Sequence, residues 1–205
     1  MGKKKGKFIV FEGTDGSGKS TQLGLLARYL ENRGEEVFVT SEPTNSPFGA
    51  LLRDCLKRKI ETDEKAIAAL FAADRLDHIL EMKRQLAAGK SVLCDRYYLS
   101  SFAYNGGFVP LDWVIQLNSQ AMEELRPDLV IYIDLSPEEA MARISRRGEA
   151  ERYETLEKQR AIRARYFEMF ERFKDSENIA IVNGEEDKDT IHARVCAAMD
   201  EFFGG

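Results

Sequence analysis

Gly13-Thr14-Asp15-Gly16-Ser17-Gly18-Lys19-Ser20 fits the pattern G-x-x-x-x-G-K-[ST] in full, with Thr21 directly after it. Each residue type there suits a polyphosphate. Glycines let the backbone curl until successive N–H groups face one anion, and a helix starting near Lys19 adds its positive end. Lys19 reaches the outer phosphates, and the Ser20 hydroxyl suits a Mg²⁺ ion. Chance would produce this pattern in on the order of one chain in a hundred of this length. A second pair, Asp95-Arg96, follows the apolar run Val92-Leu93-Cys94. A carboxylate at a strand end suits a metal contact through water, and the adjacent guanidinium suits a second anionic substrate. No N-K-x-D tetrad of the kind GTPases use to read their base occurs in the chain.

These groups need a scaffold, and the pattern of apolar runs supplies one. Phe8 to Phe11 reads as a short buried strand that ends at the glycine-rich turn. Leu23, Leu26, Ala27 and Leu30 follow at helical spacing, with Gly34 placed to end that helix. Further strand-like runs fall at Val37 to Val39, Ser91 to Cys94, Leu129 to Ile133 and Ile179 to Val182. Helical patterns cover about 48–58, 64–88, 112–125, 137–145, 155–174 and 188–203. Five strands alternating with helices predict an α/β fold, a parallel sheet covered by helices on both faces. A single domain over 1–205 is expected, with a basic segment at about 143–154 as its most mobile insert.

Composition narrows the function classes. The 205 residues carry 30 Lys+Arg against 35 Asp+Glu, a net charge of −5. That balance argues against a general nucleic-acid binder. Mean hydropathy is −0.39, and acids interrupt the apolar runs well before membrane-spanning length, so a transmembrane enzyme is excluded. Lys3-Lys4-Lys5-Gly6-Lys7 is basic, but the apolar stretch after it stops at Glu12, so a disordered tail is expected rather than a secretory signal. Cys55, Cys94 and Cys196 are widely spaced and odd in number. They read as thiols in a reducing compartment, and the cytoplasm is the expected location. The two histidines, His78 and His192, read as structural or surface groups.

Four blocks then resemble the thymidylate kinase family in order: Phe11 to Thr21, Glu42-Pro43, Phe71-Ala72-Ala73-Asp74-Arg75, and Asp95-Arg96-Tyr97-Tyr98-Leu99-Ser100-Ser101-Phe102-Ala103-Tyr104. The last block is the most specific. Arg146 to Glu154 resembles the family's lid. The resemblance covers nearly the whole chain and implies a P-loop kinase fold that uses ATP and Mg²⁺ to phosphorylate dTMP. It implies that Phe71 stacks on thymine and that Arg75 bonds the base's carbonyl edge. Arg53 would act on the base or phosphate side, Arg96 would grip the dTMP phosphate, and Ser100 and Ser101 would lie at the acceptor. Tyr104 would pack under the deoxyribose, and Asp15 would touch its 3′-hydroxyl side. Glu42 would order the loop around phosphate and metal, with Ser20 and Asp95 as the other metal-side groups.

Departures from the family pattern are visible. Ser41-Glu42-Pro43-Thr44-Asn45 stands where many bacterial members read R-E-P-G-G, and Asn105 stands where a Gln is common. Some relatives place an Arg at the position of Gly16. The missing cation would come from the lid, where Arg143, Arg146, Arg147 and Arg152 are available and Arg147 and Arg152 are the preferred donors. Arg143 would serve the ATP side, and the loop at Asn183-Gly184 would seat adenine. The resemblance further implies a homodimer. Two other readings remain at this stage: a kinase for another nucleoside monophosphate, and a nucleotide-dependent switch.

Overall fold

The structure, a computed structural model, describes residues 6–145 and 155–204. The tail at Lys3 to Lys5 and the lid residues Arg146, Arg147 and Arg152 lie outside the described residues. Five parallel strands form one sheet: β1 (Phe8–Glu12), β2 (Val37–Ser41), β3 (Ser91–Asp95), β4 (Leu129–Asp134) and β5 (Ile179–Asn183), in the order β2-β3-β1-β4-β5. The helices among the described residues are α1 (Lys19–Asn32), α2 (Pro47–Leu56), α3 (Glu64–Ala87), α4 (Tyr98–Asn105), α5 (Leu111–Leu117), α6 (Ser119–Glu124), α7 (Pro137–Ser145), α8 (Leu156–Phe173) and α9 (Lys188–Phe203).

Strand alternation divides the core. Ile9, Phe11, Leu93, Ile131 and Ile133 face α1 and α9, where Leu23, Leu26, Leu30, Ile191 and Val195 close over them. Phe8, Val10, Val92, Val130 and Tyr132 point the other way, into a layer built from α3, α4 and α8 with Ile79, Tyr98, Phe102, Tyr166 and Phe170. Both faces being buried explains why the strands read as near-continuous apolar runs.

Two features differ from the sequence reading. Every strand continues past its apolar run to a polar residue: Glu12, Ser41, Asp95, Asp134 and Asn183. The ladder pairs Phe11 with Asp95, Glu12 with Tyr132, and Asp134 with Asn183, so these side chains line the sheet's carboxyl edge. In an open α/β sheet that edge is where ligands bind. The single helix expected over 112–125 is two, α5 and α6, joined at Asn118. Asn118 turns its Nδ2 back to the Val114 carbonyl at 2.8 Å and offers its Oδ1 to Arg75. A side-chain amide competing locally for backbone partners breaks the helix there.

Candidate active site

The phosphate loop joins β1 to α1. Gly18 takes a left-handed conformation, φ 93°, as the residue capping α1, and a Cβ there would meet open space rather than protein. Gly16, φ 81°, lies so close to α7 that a Cβ would fall 2.7 Å from the Ala140 carbonyl. The loop therefore rests on α7 and opens toward the cavity. No side chain caps α1 and no acid lies in its first turn, so the helix end keeps its donors for an anion. Lys19 is buried and donates to the Thr14 carbonyl at 2.8 Å. Burial, and secondarily the neighbouring Arg96, push its pKa down to about 8. The hydroxyls of Thr14 and Ser17 are buried without a hydrogen-bond partner among the described residues. A cavity of about 610 Å³ opens over this loop, bordered by Asp15, Lys19, Ser20, Thr21, Asp95 and Arg143.

Metal-side chemistry is concentrated where α1 meets β3. Ser20 Oγ donates to Asp95 Oδ2 at 2.5 Å, while Asp95 Oδ1 is buried with no partner among the described residues. An oxygen pair of this kind, with one unsatisfied carboxylate oxygen, fits a hard divalent cation. Glu42, expected beside the metal, borders the same cavity and its N–H donates to the Asp95 carbonyl at 3.0 Å, while its carboxylate pairs with α3. Its Oε2 accepts from Arg75 Nε at 2.8 Å and Nη2 at 2.6 Å, and its Oε1 lies 3.1 Å from His78 Nδ1. Both oxygens are thus taken, and the carboxylate braces α3 against β2 through His78 and Thr40, whose hydroxyl is 2.7 Å from His78 Nε2.

Arg96 stands at the centre of the acceptor side. Its backbone is left-handed, φ 73°, an uncommon conformation for a bulky residue that costs on the order of 1–3 kcal/mol and is found chiefly at functional sites. This bend turns the guanidinium back under the phosphate loop. Nη2 bonds Asp15 Oδ1 at 2.5 Å and the Tyr104 hydroxyl at 3.0 Å, and Nη1 bonds Ser100 Oγ at 3.0 Å and the Gly13 carbonyl at 3.3 Å. Tyr104 also donates to Asp15 Oδ2 at 3.0 Å. Burial alone would raise the Asp15 carboxyl, but Arg96 and Lys19 reverse that and hold it below the usual carboxylate range.

Beyond this triad lies a smaller cavity of about 90 Å³, walled by Phe71, Leu56, Pro43 and Tyr104 with Asp15, Arg96 and Ser100 at its polar end. An aromatic wall with a cation at one end suits a base attached to a phosphate. Arg75 is fully buried, with Nη1 on Ser101 Oγ at 3.0 Å and on Asn118. Asn105 is buried with neither side-chain polar atom hydrogen-bonded to a described residue. Arg53 clamps the loop after β2 by donating to the Pro43 carbonyl at 3.1 Å and to the Thr44 carbonyl. Arg143 pairs with Glu139 at 2.9 Å and reaches the Gly184 carbonyl at 3.4 Å, at the carboxyl edge of β5.

Sequence reasoning missed Asp74. This buried carboxylate accepts from Thr44 N at 2.8 Å, Thr44 Oγ1 at 2.5 Å and Ser46 Oγ at 2.9 Å. It fixes the divergent loop whose Pro43 borders both cavities. The signal available was an ionisable residue on the apolar side of α3, one turn after Phe71.

Residues 11–195 match the family model described as thymidylate kinase. The chain is 42% identical over 208 residues to a probable thymidylate kinase of Thermococcus kodakarensis, covering 96% of this chain and 98% of that protein. It is 42% identical over 166 residues to the thymidylate kinase of Desulfotalea psychrophila, covering 77% and 80%. Against the thymidylate kinase of Limosilactobacillus fermentum it is 38% identical over 208 residues, covering 92% and 96%.

Proposed function

Because the chain belongs to the thymidylate kinase family and phosphorylates dTMP, we propose that it transfers the γ-phosphoryl group of ATP in line across the gap between the phosphate loop and Arg96. The observation that carries this reading is the Asp15–Arg96–Tyr104 triad, which lies between an anion-ready helix end and an aromatic-walled cavity.

Lys19 and the N–H groups from Gly16 to Thr21 hold the donor phosphates. Ser20 and Asp95 would hold Mg²⁺, a role supported by Asp95 Oδ1, which has no partner among the described residues; when bound, the ion would neutralise clustered phosphate charge. Glu42 stays outside that ligand set and serves as a brace. Arg96 offers the acceptor phosphate the N–H groups it now shares with Asp15. Phe71 takes the thymine face, and Tyr104 with Asp15 meets the deoxyribose. Ser100 lies at the acceptor's phosphate end, while Arg75, Ser101 and Asn105, which are not among the residues bordering the cavity, are proposed to support its base end. Arg143 guards the ATP side near Gly184, and Arg147 and Arg152 are proposed to neutralise the transferring group from the lid.

A phosphate oxygen already ionised at neutral pH needs no general base, so catalysis rests on alignment and charge. That suits a site whose nearest histidine, His78, is engaged in the Glu42 brace. We also propose one kinase domain over 1–205, working in the cytoplasm as a homodimer. The free thiols Cys55, Cys94 and Cys196 support the location, and the exposed Leu76 and Leu80 on α3 support the dimer. Stereochemistry tests the transfer step. Donor ATP made isotopically chiral at its γ-thiophosphate should give dTDP bearing a β-thiophosphate inverted at phosphorus; retention would require a thiophosphorylated enzyme intermediate and overturn direct transfer.

A further inference from the structure

Glu12, the last residue of β1, is fully buried. Four donors converge on it. Its Oε1 accepts the backbone N–H of Tyr97 at 3.0 Å and of Ser100 at 3.1 Å; its Oε2 accepts the hydroxyls of Ser100 at 2.6 Å and Tyr166 at 2.8 Å. An acceptor-only carboxylate with both oxygens served by donors is the ionised form. Desolvation pushes this carboxyl above its ordinary range, and the hydrogen bonds from Ser100 and Tyr166, the Tyr97 N–H and the Arg96 charge oppose that rise.

The placement gives these bonds a consequence. Ser100 Oγ donates to Glu12 and so presents a lone pair to Arg96 Nη1, 3.0 Å away. The Ser100 hydroxyl also lies 2.9 Å from the Tyr166 hydroxyl. Glu12 thus joins β1 to the start of α4 and to α8, and it orients the hydroxyl that supports the guanidinium. Its backbone runs directly into Gly13, whose carbonyl accepts the other bond from Nη1. Asp15 and Tyr104 hold Nη2 of the same guanidinium, and Ser100 and Gly13 hold Nη1, so the Glu12-linked contacts set one of its two arms.

We propose that Glu12 is a positioning residue for the acceptor: through Ser100 it fixes the direction of Arg96 and thereby the affinity for a nucleoside monophosphate. This inference rests on Arg96 receiving the acceptor phosphate, as proposed above. Its mark is coupling rather than mere loss, because a residue acting through Arg96 has no effect once Arg96 is altered.

Calorimetry tests it with dTMP, and separately with ATP, on the full-length wild type, Glu12→Gln, Arg96→Lys and the double variant. Glu12→Gln should weaken dTMP roughly 10- to 30-fold, with ATP changed less than about 3-fold, and in the Arg96→Lys background the same change should weaken dTMP less than about 3-fold. Tyr166→Phe removes one donor and keeps the ring. It should weaken dTMP about 3- to 5-fold on its own and have no effect beside Arg96→Lys, and it stands in if Glu12→Gln does not fold. Multiplicative effects, equal losses for ATP and dTMP, or unchanged dTMP binding in the single variants would each overturn the proposal. If Arg96→Lys alone leaves dTMP binding intact, the assignment of Arg96 fails and takes this inference with it; if Arg96→Lys weakens dTMP without coupling, only the role of Glu12 fails.

Discussion

Arg96 concentrates the cost and the purpose of this site in one residue. It carries a charge into a largely buried position, adopts a left-handed backbone and engages Asp15, Tyr104, Ser100 and Gly13 at once. In the proposed arrangement an acceptor phosphate competes with Asp15 for a guanidinium that is already aligned. Arg96→Ala should lower kcat/KM for dTMP about 10²- to 10³-fold while leaving ATP affinity within about 3-fold, measured by steady-state kinetics and calorimetry. Lys19 makes a pH prediction. Its pKa is depressed to about 8, so below that pH the free protein already holds the proton that phosphate binding needs. Above it, binding must take up a proton. The dissociation constant of ATP should therefore be flat up to about pH 8 and then rise by as much as tenfold per unit. Lys19→Met should bind weakly with no break on that curve. A flat wild-type curve to pH 9.5 would show that the depressed lysine does not govern binding.

At the scale of elements, the loop from Glu42 to Ser46 is held by helix α3. Asp74 takes the Thr44 N–H and the Thr44 and Ser46 hydroxyls, and Arg53 takes the carbonyls that face α2. Since Pro43 borders the acceptor cavity, releasing this clasp should loosen the acceptor more than the donor. Asp74→Asn is expected to raise KM for dTMP about 5- to 10-fold and KM for ATP less than about 2-fold, with a modest fall in melting temperature. A uniform rise in both constants would mean that Asp74 serves the fold as a whole. The clasp was illegible in the sequence for a physical reason. Thr44 and Asp74 are thirty residues apart, and neither periodicity nor a motif reports such a pairing. What was legible followed from burial. All five strands were visible as apolar runs, but each was read short by the polar residue or residues at its carboxyl edge. Those residues are polar, and Glu12 and Asp134 pair with Ser100, Tyr166 and Arg163 instead of joining the apolar core, so a hydrophobic pattern stops before them. Asn118 broke a helix that the apolar pattern carried straight through, because one amide could bond both Val114 and Arg75.

At the scale of the molecule, the sheet places the phosphate loop, the Asp95-Arg96 turn and the β2 loop along one edge, and the helices α2, α3 and α4 supply walls of the smaller cavity, the proposed acceptor site. The glycine-rich loop and the Asp95 to Tyr104 block made that edge readable from sequence, since each motif fixes its own local geometry. The directions of Glu42 and Arg75 were not readable, because a buried ion pair between them satisfies both. On α3, Leu80 is 66% exposed and Leu76 37%, and Phe48 and Leu51 of α2 are also exposed. Leu80→Glu should convert the proposed dimer to monomer in sedimentation velocity, while a wild-type monomer at micromolar concentration would remove that role from the face.

Acceptor choice tests the central claim most directly: an ADP-release assay with ATP and Mg²⁺ against dTMP, dUMP, dCMP, dGMP, AMP, CMP and UMP, beside a blank without acceptor. A cavity walled by Phe71 and Tyr104 with Arg96 at its polar end predicts turnover led by dTMP, weaker turnover with dUMP and almost none in the blank. Turnover led by another monophosphate, or ADP release indifferent to every acceptor, would contradict it.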